Sequence, residues 1–310
     1  MAPAVSSKHH YVPRRTSRSA FVDVRGLRCH VRMWGEPTAR PLVLLHGGRD
    51  ASATFQFLVD AFAEEWLVVA PDWRGHGLSG WAPNGYSFAD YLGDLDALLD
   101  HFFAGRAVPL VGHSLGGNVA CVYAGLRPAR VLHLVSLDGF GLPDRRPEEA
   151  PMHLRRWLNA WRSPPTEKPY PSVEAMAERL RVANPRLDAD RAYFLAENLS
   201  RPAAAGGFTW CFDPLHRAPF ASLHRVAEWQ ACLREITAPA LWLGSGAVFP
   251  PSLEREPGGF ERRLEWIPDL RFTRIENTGH NLHHDVPAAV AAGIERFLSE
   301  TPGARSGNVP

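Results

Sequence analysis

Residues 110–117, LVGHSLGG, limit what this chain can fold into more than any other stretch. An apolar run of strand length enters Gly112, and a segment of helical period leaves from Leu115. Leu115, Val119, Val122 and Leu126 share one face of that segment, and Arg127-Pro128 closes it. Only Ser114 is left to make the turn. So sharp a reversal leaves no room for side chains two residues to either side, and Gly112 and Gly116 stand at those places. The turn lifts the serine hydroxyl clear at a helix N-terminus, where free N–H groups and the helix dipole favour negative charge. A serine held there is placed to act as a nucleophile.

The same alternation runs through the first half of the chain. FVDV (21–24) and CHVRMW (29–34) read as a hairpin turning at Arg25-Gly26. PLVLLHGG (41–48), WLVVAPDWRG (66–75), AVPLVGHS (107–114) and VLHLVSLDG (131–139) follow as nearly all-apolar strands. The spacing predicts helices over 54–65, 87–103 and 115–126. Strands that are apolar on both faces, with helices between them, predict an α/β fold: a mostly parallel central sheet flanked by helices.

The rhythm stops at Leu142. From there to about Ala231 no stretch has strand character, and helical pieces at 172–183 and 188–199 lie among many prolines. Large aromatics are dense here: Trp157, Trp161, Phe194, Phe208, Trp210, Phe212, Phe220 and Trp229. Strand–helix order resumes at 240–244, continues through RFTRIEN (271–277) and ends with a helix over 287–298. The expected organisation is a sheet domain over 21–141 and 233–300, interrupted by a mainly helical cap over 142–232. Disordered tails are expected over 1–20 and 301–310.

Composition excludes more than it selects. A formal net charge of +1 and 45% hydrophobic residues point to no nucleic-acid or membrane-surface partner. Only Lys8 and Lys168 are lysines, but the arginines are scattered along the chain, which fits coding bias rather than an anion site. The four cysteines (Cys29, Cys121, Cys211, Cys232) form no CxxC pair or metal spacing. They fit reduced thiols in a cytoplasmic protein, with a disulfide left open. The first 20 residues lack the apolar segment of a signal peptide, and no run reaches membrane-spanning length. Oligomeric state is not legible.

With these elements in order, the chain resembles the α/β-hydrolase fold superfamily over about residues 21 to 300. LLHGG (44–48) resembles its oxyanion-loop motif, PDWRGHGLS (71–79) the segment after its fourth strand, GHSLGG its nucleophile turn, and NTGHNLHHDVP (277–287) the segment carrying its catalytic histidine. HGGRD and FTWCFDPLHR resemble the serine-hydrolase-like subgroup.

The resemblance implies partners for Ser114. A serine needs a neutral imidazole to take its proton. Among fourteen histidines, His280 stands after the last strand, in the Gly-His turn of the matched motif. His283 and His284 invite a metal reading with His280, Asp285 and the 280/284 spacing, but the hydrolase pattern needs none, and Asp285 is expected to cap the following helix. His113 is expected to be held by packing, and His46 and His76 to have structural roles. The resemblance also implies that the oxyanion hole is made by the backbone N–H groups of Leu115 and Gly48.

The acid is the exposed point of this reading. Its usual place, after the strand at 240–244, holds Ala247, with Ser245 the only polar side chain near and Glu254 beyond two prolines. Some families of this fold place the acid one strand earlier. There Asp138 ends VLHLVSLDG, so Asp138 is expected to orient His280, against a turn-forming Asp-Gly as the plainer account.

A seryl nucleophile argues against chemistry that needs an aspartyl ester at position 114. The expected activity is hydrolysis of a carboxylic ester or related acyl bond of a small, apolar substrate, without cofactor or metal. Trp73 and Phe140, at strand tips, are expected to line the site. Two alternatives stay open: a catalytically silent protein of this fold that binds a ligand or partner, and a lyase or cofactor-free oxygenase.

Overall fold

The computed structural model describes residues 10–246, 250–255 and 259–301. Strands β1 (Arg18–Val24) and β2 (Leu27–Trp34) form a hairpin in which Val24 pairs with Leu27. Arg25 and Gly26 both take positive φ, which lets a two-residue turn match the twist of its strands. Then come β3 (Arg40–Leu45), α1 (Gln56–Ala61), β4 (Trp66–Pro71), α2 (Phe88–Phe103), β5 (Val108–His113), α3 (Leu115–Leu126) and β6 (Val131–Leu137). The chain leaves the sheet for α4 (Ala150–Arg162), α5 (Val173–Ala183), α6 (Ala189–Leu199), β7 (Ser200–Pro202), β8 (Phe208–Trp210) and α7 (Val226–Arg234). It returns through β9 (Ala240–Gly244), β10 (Leu270–Arg274), α8 (Leu282–Asp285) and α9 (Pro287–Glu300).

Among the described residues, eight strands form one sheet in the order β1-β2-β4-β3-β5-β6-β9-β10. Pairing is antiparallel for β1–β2 and β2–β4 and parallel from β4 to β10. Both faces are covered, which is why the strands read as continuous apolar runs. On β3, Val43 and Leu45 pack on one face with Leu95, Leu99, Val119 and Leu233 from the helices. Leu42 and Leu44 point to the other, with Leu58, Val290, Ile294 and Phe297.

Four details depart from the sequence expectation. The segment at 54–65 is a short 3₁₀ turn (Ser52–Phe55) followed by α1. The stretch between β6 and β9 contains a two-stranded hairpin, β7–β8, whose three-residue strands are too short to show alternation. The first tail does not extend to residue 20, because β1 starts at Arg18 and Asp60 gathers the chain before it. Its carboxylate accepts from the Tyr11 hydroxyl at 2.7 Å and from the Arg14 and Arg15 N–H groups at 3.0 and 2.8 Å. Residues 1–9 and 302–310 of the expected tails lie outside the described residues. Finally, Trp229 belongs to the sheet core, stacked on Trp242 at 6.5 Å.

All four cysteines are unpaired. Among the described residues no helix is long and apolar enough to cross a membrane.

Candidate active site

Sheet bonding carries the key residues to one edge. The Ser114 N–H donates to the Leu137 carbonyl at 2.9 Å and the Asp138 N–H to the Leu243 carbonyl at 2.9 Å. The parallel ladder thus continues one residue past β5 and β6 and sets Ser114 and Asp138 on adjacent strand tips. Ser114 is forced to φ 50° and ψ −113°, a conformation costly for a residue with a side chain and one that clusters at functional turns. Close approach explains the flanking glycines. A Cβ on Gly112 would lie 2.3 Å from the Gly116 carbonyl oxygen, and one on Gly116 would lie 2.1 Å from that of Leu45.

His280 comes from the loop after β10. Its Nε2 lies 2.9 Å from Ser114 Oγ and its Nδ1 2.7 Å from Asp138 Oδ2. An ionised carboxylate only accepts, so Asp138 holds the imidazole proton on Nδ1 and leaves Nε2 to accept from the serine. The Asp138 side chain is completely buried, whereas that of His280 is 22% exposed. Ser245 satisfies the rest of the carboxylate. Its N–H donates to Oδ1 at 2.9 Å, and its hydroxyl lies 3.1 and 3.0 Å from the two oxygens. Sequence reasoning gave Ser245 no role; the available signal was a lone polar side chain at the tip of β9. Ala247 lies outside the described residues.

His113 braces the same loop. Its ring is buried and its Nε2 donates to the His280 carbonyl at 2.9 Å. Burial keeps it neutral, far below the ordinary histidine range.

The loop after β3 carries Gly48, whose backbone runs beside Leu115: a Cβ there would lie 3.9 Å from Leu115 Cδ2. Leu115 opens α3, where the first N–H groups have no partner within the helix. Two histidines lock the Gly48 loop against the segment after β4. His46 Nε2 accepts the Trp73 N–H at 2.9 Å, and His76 Nε2 accepts the Arg49 N–H at 3.0 Å. Both bonds require unprotonated nitrogens, and burial lowers the pKa of His46 to about 4. Asp72 ties the same layers, accepting from Ser52 N at 2.7 Å, His30 Nδ1 at 2.7 Å and Leu78 N at 2.9 Å. Burial alone would raise its pKa, but the His30 bond and charge outweigh burial and hold it at about 2.

The FTWCFDPLHR stretch docks on this layer. Asp213 accepts from the Tyr86 hydroxyl at 2.7 Å, and its own N–H donates to the Gly75 carbonyl at 2.8 Å.

Trp73 and Phe140 stand at their strand tips, but their side chains turn into the core, 1% and 2% exposed. The Trp73 indole donates to the His46 carbonyl at 2.9 Å. The Phe140 ring packs against Phe260 at 4.5 Å and Trp242 at 5.1 Å, and buried Arg263 donates to its carbonyl at 2.6 Å. Both are core side chains at the strand tips. Asp285 does not cap α9, which starts from Val286 with no side-chain cap. Its carboxylate instead accepts from the Gly279 N–H at 2.7 Å and from Asn184 Nδ2 at 2.6 Å, holding the turn just before His280.

Comparison with known proteins agrees with this architecture. The family model described as "alpha/beta hydrolase fold" matches residues 40–287. A serine hydrolase-like protein of Danio rerio is 30% identical over 318 residues, covering 96% of this chain and 94% of its own. A 2-(acetamidomethylene)succinate hydrolase of Mesorhizobium japonicum is 29% identical over 301 residues, covering 97% and 94%. Among solved structures, a thioesterase domain from the curacin biosynthetic pathway superposes with a TM-score of 0.81 at 24% identity, covering 91% of this chain and 99% of that domain. At that identity the likeness speaks for the fold.

Proposed function

The chain belongs to the α/β-hydrolase fold family, and from that premise we propose that it is a serine hydrolase acting on a carboxylic ester or related acyl bond, thioesters and lactones included, through an acyl-enzyme on Ser114. The observation that carries this reading is the unbroken chain Ser114 Oγ–His280 Nε2 at 2.9 Å and His280 Nδ1–Asp138 Oδ2 at 2.7 Å. Ser114 Oγ attacks the acyl carbon as its proton passes to His280 Nε2. The imidazolium is stabilised by the Asp138 carboxylate. Negative charge developing on the acyl oxygen is met by the Gly48 and Leu115 N–H groups, fixed donors whose worth is on the order of several kcal/mol. Collapse expels the alcohol or thiol, protonated by His280. A water molecule, deprotonated by the same nitrogen, then releases the acid and restores Ser114.

Specificity belongs to the segment between β6 and β9. It acts as a cap, seated on the sheet domain where Met176, Leu187, Leu195 and Leu199 pack with Ala51 and Phe57, next to the Gly48 loop. Its aromatic content suits a small apolar acyl or alcohol group. The hydrolase and thioesterase names among similar proteins support acyl chemistry without choosing the bond.

A fluorophosphonate probe tests the proposal. Folded wild-type protein is expected to label stoichiometrically at Ser114, and Ser114→Ala not at all. Absence of labelling in folded wild type would replace the hydrolase with a catalytically silent ligand-binding protein.

A further inference from the structure

Beside the catalytic chain, and unused by it, three metal-ligating side chains converge. Asp50 follows Gly48 by two residues, and His283 and His284 follow His280 on α8. One ligand atom from each of Asp50, His283 and His284 lies within 4.8 Å of the other two. The histidines are buried, His283 to 0% and His284 to 5% exposure. Among the described residues neither His283 ring nitrogen has a hydrogen-bond partner, nor does His284 Nε2. A buried imidazole with both nitrogens unsatisfied is costly, so such groups call for an explanation.

We propose that Asp50, His283 and His284 form a binding site for a divalent transition-metal ion of the zinc class. The donor set selects the metal: two imidazoles and one carboxylate suit zinc and its first-row neighbours, whereas calcium and magnesium demand oxygen ligands. Spacing supports the same choice. Three atoms no more than 4.8 Å apart leave a central point about 2.8 Å or less from each, and metal–ligand bonds are about 2.0–2.2 Å. Side-chain adjustments of about 0.7 Å therefore close the site, too small to need backbone rearrangement.

The rings are already held in place. His283 lies between Phe55, at 5.4 Å, and His113, at 4.4 Å, and it contacts His284 at 4.1 Å. Asp50 is steadied by the Ala51 N–H at 2.9 Å. Arg191 is the nearby opposing charge. Its guanidinium donates to the His284 carbonyl at 3.1 Å and leaves the ring free to ligate. A metal here would staple the Gly48 loop to the loop that carries His280, although it takes no part in the acyl chemistry.

The test is calorimetric titration of metal-free, full-length protein with Zn²⁺, followed by zinc-edge anomalous diffraction. The expected result is one ion per chain, with the anomalous peak among the three side chains. Asp50→Asn and His283→Gln are each expected to weaken binding at least tenfold, and Ser114→Ala to leave it unchanged. Failure of wild-type protein to bind one equivalent, or a peak elsewhere, overturns the proposal even if a variant misfolds. So does undiminished affinity in folded variants. Labelling of Ser114 in metal-free protein reports separately on the hydrolase reading.

Discussion

Replacing Asp138 by asparagine removes one charge and changes almost no volume, yet the structure dictates a severe result. The Ser245 N–H can only donate, and it points at Oδ1 from 2.9 Å. The asparagine must therefore place its amide oxygen there and its NH₂ at the Oδ2 position, 2.7 Å from His280 Nδ1. An NH₂ group facing Nδ1 compels that nitrogen to accept, so the imidazole proton moves to Nε2. Nε2–H then faces Ser114 Oγ, 2.9 Å away, and cannot take its proton. A triad locked in the wrong tautomer loses about four orders of magnitude in turnover, or about 5 kcal/mol at roughly 1.4 kcal/mol per decade. Two readouts apply: kcat/KM across a panel of p-nitrophenyl esters of graded chain length, and the second-order rate of fluorophosphonate labelling, which needs the same proton transfer. Circular dichroism and an unchanged fold establish that the loss is chemical. Rates within tenfold of wild type in both assays would refute Asp138 as the orienting acid and, with it, the tautomer argument.

Gly116→Ala would put a Cβ 2.1 Å from the Leu45 carbonyl oxygen, a backbone atom that cannot step aside, so Tm should fall by more than about 5 °C. A thermal melt superimposable on wild type would disprove that packing. Asp60→Ala releases the anchors of Tyr11, Arg14 and Arg15, and limited trypsin digestion should then cut after Arg14 or Arg15 at least tenfold faster, with mass spectrometry locating the cut. Equal cleavage rates would show that Asp60 does not hold the segment. Acid should destabilise the protein through its buried histidines. Burial lowers His46 to about 4 and His216 to about 3, and holds His76 and His113 far below the ordinary range. Unfolded histidine takes its proton near pH 6.5, so this stability is full above about 6.5 and declines as pH falls toward the folded values, by on the order of 3 kcal/mol for His46 alone. Asp50, which burial raises to about 7, works in the opposite sense and offsets one histidine. The expected fall in Tm between pH 7 and pH 5 exceeds about 10 °C by differential scanning fluorimetry, and a flat profile would refute it.

Much of the fold was legible because it rests on short-range rules. A strand buried on both faces must be apolar throughout, so β3 to β6 and β9 announced themselves, and α3 followed from its periodic face and the Arg127-Pro128 stop. The 3₁₀ turn before α1 and the β7–β8 pair escaped because three or four residues carry too little periodicity. Asp285 looked like a cap by position, but a carboxylate bonds whatever N–H the tertiary fold presents, and here that was Gly279. Trp73 and Phe140 were placed at the strand tips correctly in sequence; which way a ring turns from a tip depends on neighbours such as Phe260 and His46, far away in the chain.

By itself the sequence determined the parallel sheet, the strained serine turn and the order of the motifs, since each depends on residues adjacent along the chain. It also pointed to Asp138 as the candidate acid by leaving the usual position without a carboxylate. Only the tertiary structure decided the distances that make chemistry, because Ser114, Asp138, Ser245 and His280 meet through the register of parallel strands joined by long connections. Register is set by summed packing and ladder bonds over the whole sheet. For that reason Ser245, silent in the sequence, emerged as the group that fixes the carboxylate, and Asp50, His283 and His284 emerged as neighbours across more than two hundred residues of chain.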